Sequence, residues 1–174
     1  MYEVATREIP ERSLLCLKRN VDQRGMWAFG KEFIAILRER PLPKTETEGR
    51  AGAFFCIWWG LVNGDSDGPI EWCKPVPAAQ AESLASHYPE LSLRTEPAHL
   101  EAFVALPDAG DEAVHWHLAG ESLEAWAQEQ EHEHDGERLA LTPQDLGLRI
   151  TYLASALGTE EPYRDMALPF AVER

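Results

Sequence analysis

Positive charge is what this sequence has least of. Sixteen Lys and Arg stand against 30 Asp and Glu, for a formal net charge of −14. Nucleic-acid affinity comes largely from clustered basic residues, so the composition argues against nucleic-acid contact through this chain. Cysteine is scarce too. Cys16, Cys56 and Cys73 are odd in number, sit in apolar runs and lack zinc-type spacing, which argues against a disulfide framework and for buried, reduced thiols. No apolar run approaches the roughly 20 residues of a membrane span, and MYEVATREIP lacks the basic and apolar regions of a signal peptide. A cytoplasmic protein without membrane contact is expected. Glycine-rich phosphate loops, a nucleophile elbow and paired CxxC motifs are missing as well, and no cofactor is expected.

Two histidine-bearing runs resemble metal sites but read otherwise. EHEHDGE, residues 131–137, follows a helical stretch and contains a glycine, which suits a solvated loop. In HWH, His115 and His117 are two apart, so on a helix they point about 200° apart and cannot chelate one ion. No metal is expected.

What is present fits a folded α+β domain. The 174 residues are 44% hydrophobic and 26% charged, ordinary globular composition for a chain long enough to bury a core. After a proline break, Leu14, Leu15, Cys16 and Leu17 form a strand-like run. MWAFGKEFIAILRER carries Trp27, Gly30, Phe33, Ile34 and Leu37 at helical steps, with Lys31, Glu32, Arg38 and Glu39 opposite, and stops before Pro41. AGAFFCIWWG reads as a strand and NGDSDG as a turn leading back through IEWCKPV.

The pattern then restarts. LSLRTEPAHLEAFVALP answers the opening, Arg94 and Pro97 standing where Arg7 and Pro10 stood. HWHLAGESLEAW matches MWAFGKEFIAIL, with Trp116 answering Trp27, and LGLRITYLAS matches FFCIWWG. EPYRDMALPF closes the second unit as GPIEWCKPVP closes the first, each with an acid four residues before a proline: Glu71 and Pro75, Asp165 and Pro169. One domain over residues 1–174 is expected, with a first repeat of about 1–77, a connection of about 78–90 and a second repeat of about 91–174. Each repeat reads strand, helix, strand, strand, with antiparallel sheets about a central ligand cleft.

A duplicated unit normally has a face it cannot bury alone. Strand alternation puts Ile70, Trp72 and Val76 on one side and Glu71, Cys73 and Pro75 on the other; Met166, Leu168 and Phe170 likewise oppose Tyr163, Asp165, Ala167 and Pro169. The apolar sets suit helix packing, which leaves the acids facing the cleft. Trp58, Trp59, Tyr152 and Tyr163 are the candidate aromatic walls, with Glu71, Cys73 and Asp165 beside them. Trp27, Trp116 and Trp126, at helical spacing, are assigned to the core.

On the opening EVATREIPERSLLCLKR, the segment GPIEWCKPV and the terminal PYRDMALPF, the whole chain resembles the GyrI-like family, the effector-binding domain of multidrug-sensing transcription activators. The resemblance implies two strand-helix-strand-strand repeats and binding of lipophilic cationic drugs, stacked by aromatic rings and contacted by a carboxylate on the final strand. Asp165 stands at that place, one methylene shorter than the glutamate often found. No helix-turn-helix precedes the first strand, so a free-standing domain is expected. Its partner would be a lipophilic cationic or aromatic small molecule, with or without a protein that reads the bound state. Free-standing relatives supply an alternative, hydrolysis of strained cyclopropane-containing electrophiles, in which Glu71 and Asp165 would divide the acid and water-orienting roles.

Overall fold

The computed structural model describes residues 2–40, 54–60, 62, 65–106, 112–133, 138–140, 147–153 and 163–173. The proline break after Ile9 separates two strands rather than preceding one: β1 spans Ala5–Ile9 and β2 spans Arg12–Val21. Helix α1, Gln23–Glu39, starts where the Asp22 side chain accepts the Gly25 N–H at 2.6 Å, a capping bond that satisfies one orphan donor of the first turn. Strands β3, Phe54–Trp58, and β4, Gly68–Val76, complete the first half. A 3-10 turn, Ala78–Gln80, and helix α2, Ala81–His87, form the connection. The second half follows the same plan: β5 (Ser92–Glu96), β6 (His99–Leu106), α3 (Glu112–Glu133), a short β7 (Arg138–Ala140), β8 (Leu148–Leu153) and β9 (Tyr163–Glu173).

Eight strands form one antiparallel sheet in the order β1-β6-β9-β8-β3-β4-β2-β5, and β7 pairs with β9. The antiparallel sheets of the two repeats join edge to edge into one continuous, curled sheet. Its order is a palindrome about the β8/β3 seam, and the register repeats faithfully. Cys16 pairs with Cys73 as Phe103 pairs with Ala167, and Cys56 pairs with Ile150 at the seam, where a pseudo-twofold axis passes. The first strands are exchanged, since β1 pairs with β6 of the second half and β5 with β2 of the first.

Both helices that belong to the repeat pack on one face. Met26, Phe29, Phe33 and Leu37 of α1 bury against Leu15, Ile70, Trp72 and Val76, and Ala119 and Leu123 of α3 against Val104, Ile150, Met166 and Phe170. Trp126 rests on Phe170 with ring centroids 5.5 Å apart. Trp27, assigned to the core by its spacing, is 40% exposed and leans on Trp116. The buried stripe runs through Met26 and Phe29 instead.

Helix α1 crosses the sheet at Gly30, where a Cβ would lie 2.6 Å from Cζ2 of Trp72. That ring is buried, stacked on Phe33 and packed at a tilt against Phe54, so it cannot yield cheaply. Gly30→Ala is therefore expected to destabilise the protein by up to ~2 kcal/mol, since overpacking at ~1–3 kcal/mol outweighs the ~1 kcal/mol of helix propensity gained. A denaturant midpoint equal to or above wild type would sink that account.

Candidate functional site

The other face carries no described helix, yet its side chains are buried. Alternation from the paired registers brings to it Arg7 of β1, Arg12, Leu14 and Cys16 of β2, Phe55 and Ile57 of β3, Glu71 and Cys73 of β4, Arg94 and Glu96 of β5, His99, Glu101 and Phe103 of β6, Arg149 of β8 and Asp165 of β9. Arg149 explains the burial. Its Nη1 lies 3.0 Å from Glu101 Oε1 and 2.9 Å from Glu96 Oε1, the first a hydrogen bond and the second a charge contact. Glu96 sits on one edge strand and Glu101 next to the opposite edge. Only a sheet curled nearly onto itself can deliver both to one guanidinium.

Each of the two acids singled out by the repeat is met by an arginine from an exchanged strand. Arg7 donates to both oxygens of Asp165, at 2.5 and 3.2 Å, and its Nε donates to Glu101 at 2.7 Å. Arg94 donates to Glu71 at 3.1 and 3.2 Å, and the Trp59 indole N–H adds a bond of 2.9 Å to the same carboxylate. The arginines lie over aromatic rings: Arg7 is 4.5 Å from the Phe103 centroid and Arg94 is 5.9 Å from that of Trp59, which Lys18 also caps at 4.8 Å. The acids lie beneath, Asp165 wholly buried and Glu71 nearly so, whereas Arg7 and Arg94 keep partial exposure.

Around Arg149 the network is asymmetric. Arg12 donates to Glu96 at 2.6 Å, and His99 contacts Glu101 at 3.2 Å. In the first half the equivalent places are apolar: Ile9 answers Glu96, Leu14 answers Glu101 and Phe55 answers Arg149. Burial opposes the charged form of Glu101, yet the His99 hydrogen bond and the charges of Arg149, Arg7 and Arg12 hold its carboxyl at about 2. Glu96 is held below the ordinary carboxylate range in the same way, Arg149 and Arg12 outweighing burial. For Arg7, burial is outweighed by Asp165 and Glu101, and the guanidinium is held above its ordinary value.

Of the residues singled out from sequence, Trp59, Glu71, Cys73 and Asp165 share this face. Trp58 does not. It packs on the helix side, edge-on to Trp116 at 5.9 Å and 86°, because consecutive strand residues point to opposite faces and Trp59 takes the cleft side. Tyr152 and Tyr163 lie on β8 and β9, where Tyr152 pairs with Phe54 and Tyr163 with Leu153; their side chains fall outside the described residues. His115 meets Tyr2 and His117 meets Glu121, so the HWH pair serves separate partners; residues 134–137 of the EHEHDGE run are outside the described residues. Sequence reasoning missed Arg7, Arg12, Arg94, Glu96, Glu101 and Arg149 as cleft residues, although the match of Arg7 to Arg94 was a usable signal.

The fold is that of the GyrI-like effector-binding domains. The EcmrR C-terminal domain matches with a TM-score of 0.65 at 16% identity, over 98% of this chain and 98% of that one. SAV2435 bound to tetraphenylphosphonium matches at 0.59 with 12% identity, over 97% and 94%. A hydrolase from Listeria innocua matches at 0.51 with 14% identity, over 98% and 92%. No family model matches the sequence, and no curated protein matches it significantly. Among the described residues, no helix is long and apolar enough to cross a membrane.

Proposed function

We propose that the chain binds lipophilic small molecules, aromatic and cationic ones among them, on the curled face opposite α1 and α3, and that Arg7 and Arg94 stand in for the ligand's cation when none is bound. The observation that carries this reading is the paired arrangement of a buried carboxylate, a partly exposed guanidinium and an aromatic ring, present once in each half. A guanidinium is itself a flat, delocalised cation, so a surface that holds one against an aromatic ring offers another such cation the same contacts, worth about 0.5–2 kcal/mol per ring. The ligand must displace the arginine, which sets affinity by competition rather than by a vacant charge. The likeness in fold to SAV2435 bound to tetraphenylphosphonium supports the same reading.

Binding is favoured over hydrolysis by the use already made of the acids. Both oxygens of Asp165 and of Glu71 accept N–H donors, an arrangement that a flat cation taking the guanidinium's place fits more directly than a water or a leaving group does.

Competition makes the test sharp. A rhodamine should bind, Asp165→Asn should weaken it by ~1–3 kcal/mol, the scale of a charged contact, and Arg7→Met should tighten it by freeing Asp165. Fluorescence titration of variants whose thermal transition remains cooperative reads this. Equal affinity for neutral and cationic dyes, unmoved by either substitution, overturns the proposal.

A further inference from the structure

We propose that Cys16, Cys73 and Glu71 form a site for a divalent thiophilic cation, with zinc or cadmium as the ions its chemistry fits. This goes beyond small-molecule binding: the two readings share Glu71 and Arg94, and the paired thiols of Cys16 and Cys73 are what this one adds. Linear spacing hides the site, because the two cysteines lie on different strands and meet only through the β2/β4 pairing, where Cys16 stands directly across from Cys73. Their sulfurs are 3.4 Å apart. Glu71 precedes Cys73 by two residues on β4 and so shares its face, and one donor atom from each of the three lies within 4.8 Å of the others. All three residues are buried.

Those separations are close to what a common ion needs. Zinc bonds of about 2.3 Å to sulfur in tetrahedral geometry place two sulfurs about 3.7–3.8 Å apart, so the thiols need open by only a few tenths of an ångström. Two sulfurs and one carboxylate are a donor set for zinc or cadmium rather than for magnesium or calcium, which take oxygen. With three protein ligands, the fourth position is left to the cleft side, where Trp59 and Arg94 lie over Glu71.

Charge closes in both states, which matters for a buried cluster. Without an ion, two neutral thiols, the Glu71 carboxylate and the Arg94 guanidinium sum to zero. When an M²⁺ ion binds, each thiol gives one proton to solvent and two metal–sulfur bonds form. Two thiolates, one carboxylate, the ion and Arg94 again sum to zero. Arg94, 3.8 Å from Cys73 Sγ, is the cation that keeps the loaded cluster neutral.

The experiment is cadmium and zinc titration of the whole chain under a non-thiol reductant, followed by thiolate-to-cadmium absorption and native mass spectrometry. The expected result is one ion per chain, with a mass that shows loss of two protons. Cys16→Ser and Cys73→Ser should each weaken binding at least ~100-fold, Glu71→Gln, which keeps a neutral amide oxygen in place of the carboxylate ligand, should weaken it at least ~10-fold, and Cys56→Ser, on the helix face, should leave it unchanged. Should the serine variants fail to fold, the wild-type proton count and thiolate band still decide the matter. Absence of the band, an adduct without proton loss, loss of binding in Cys56→Ser, or a Cys16–Cys73 disulfide as the sole product each overturns the site.

Discussion

Arg149→Met is expected to cost the fold up to about 3–5 kcal/mol, the ceiling for a buried charge stripped of its partner, because Glu96 and Glu101, both almost wholly inaccessible, share that guanidinium and keep only Arg12 and Arg7 respectively as cationic hydrogen-bond donors. Removing the cluster together is a different experiment. The first half already holds its apolar counterpart in Ile9, Leu14 and Phe55, so the triple change Glu96→Ile, Glu101→Leu, Arg149→Phe copies packing the fold accepts elsewhere. It is expected to recover most of the loss, as apolar replacements of buried ion clusters often do. By contrast Glu32→Gln, which breaks the exposed Arg19 pair, should shift stability by under about 1 kcal/mol. Urea midpoints on the three proteins check this. A triple variant less stable than Arg149→Met would mean the charges are needed for more than mutual neutralisation.

Acid should unfold this protein through the same cluster. Glu101 has its folded value depressed from 4.5 to about 2, and a depressed carboxyl contributes stability that is complete above its unfolded value and is lost as pH falls through the folded one. The window is therefore pH ~4.5 down to ~2, and Glu101 alone accounts for on the order of 3 kcal/mol at ~1.4 kcal/mol per unit; Glu96 adds in the same direction. Surface repulsion has the opposite sign. At a net charge of −14, protonating exposed acids relieves mutual repulsion and stabilises the compact state. Midpoints measured from pH 6 to pH 2.5 should fall. A rise or a plateau across that span would assign acid behaviour to the surface instead.

Much of the scaffold was legible in the residues. Apolar spacing placed α1, and the repeated acid-to-proline interval gave the correspondence of β4 with β9 and hence the face that Glu71 and Asp165 share. Trp58 was misplaced by letting similarity of residue type override alternation: two neighbours in a strand cannot both line one wall, and Trp59, bonded to Glu71, settles which one does. The arginine partners were not legible for a different reason. Sequence reports what each strand is, but whether β1 pairs within its own half or across to β6 depends on the curl of the whole sheet, and so does the meeting of Glu96, Glu101 and Arg149. Glu101 within HLEAFVAL and Arg149 within LGLRITYL were charges in apolar strands, the mark of buried polar groups that need partners, yet nothing local named those partners.

The exchange of first strands also governs the order in which the molecule can be completed. Arg7 and its partner Glu101 lie 94 positions apart, so during synthesis β1 emerges from the ribosome well before β6 exists to receive it. At about 5–20 residues per second, the leading strand waits for seconds with unpaired backbone groups exposed. Non-local pairings of this kind slow folding, and the adjacent charges of Arg7 and Glu8 give that waiting strand the polar edge that exposed strands use against self-pairing.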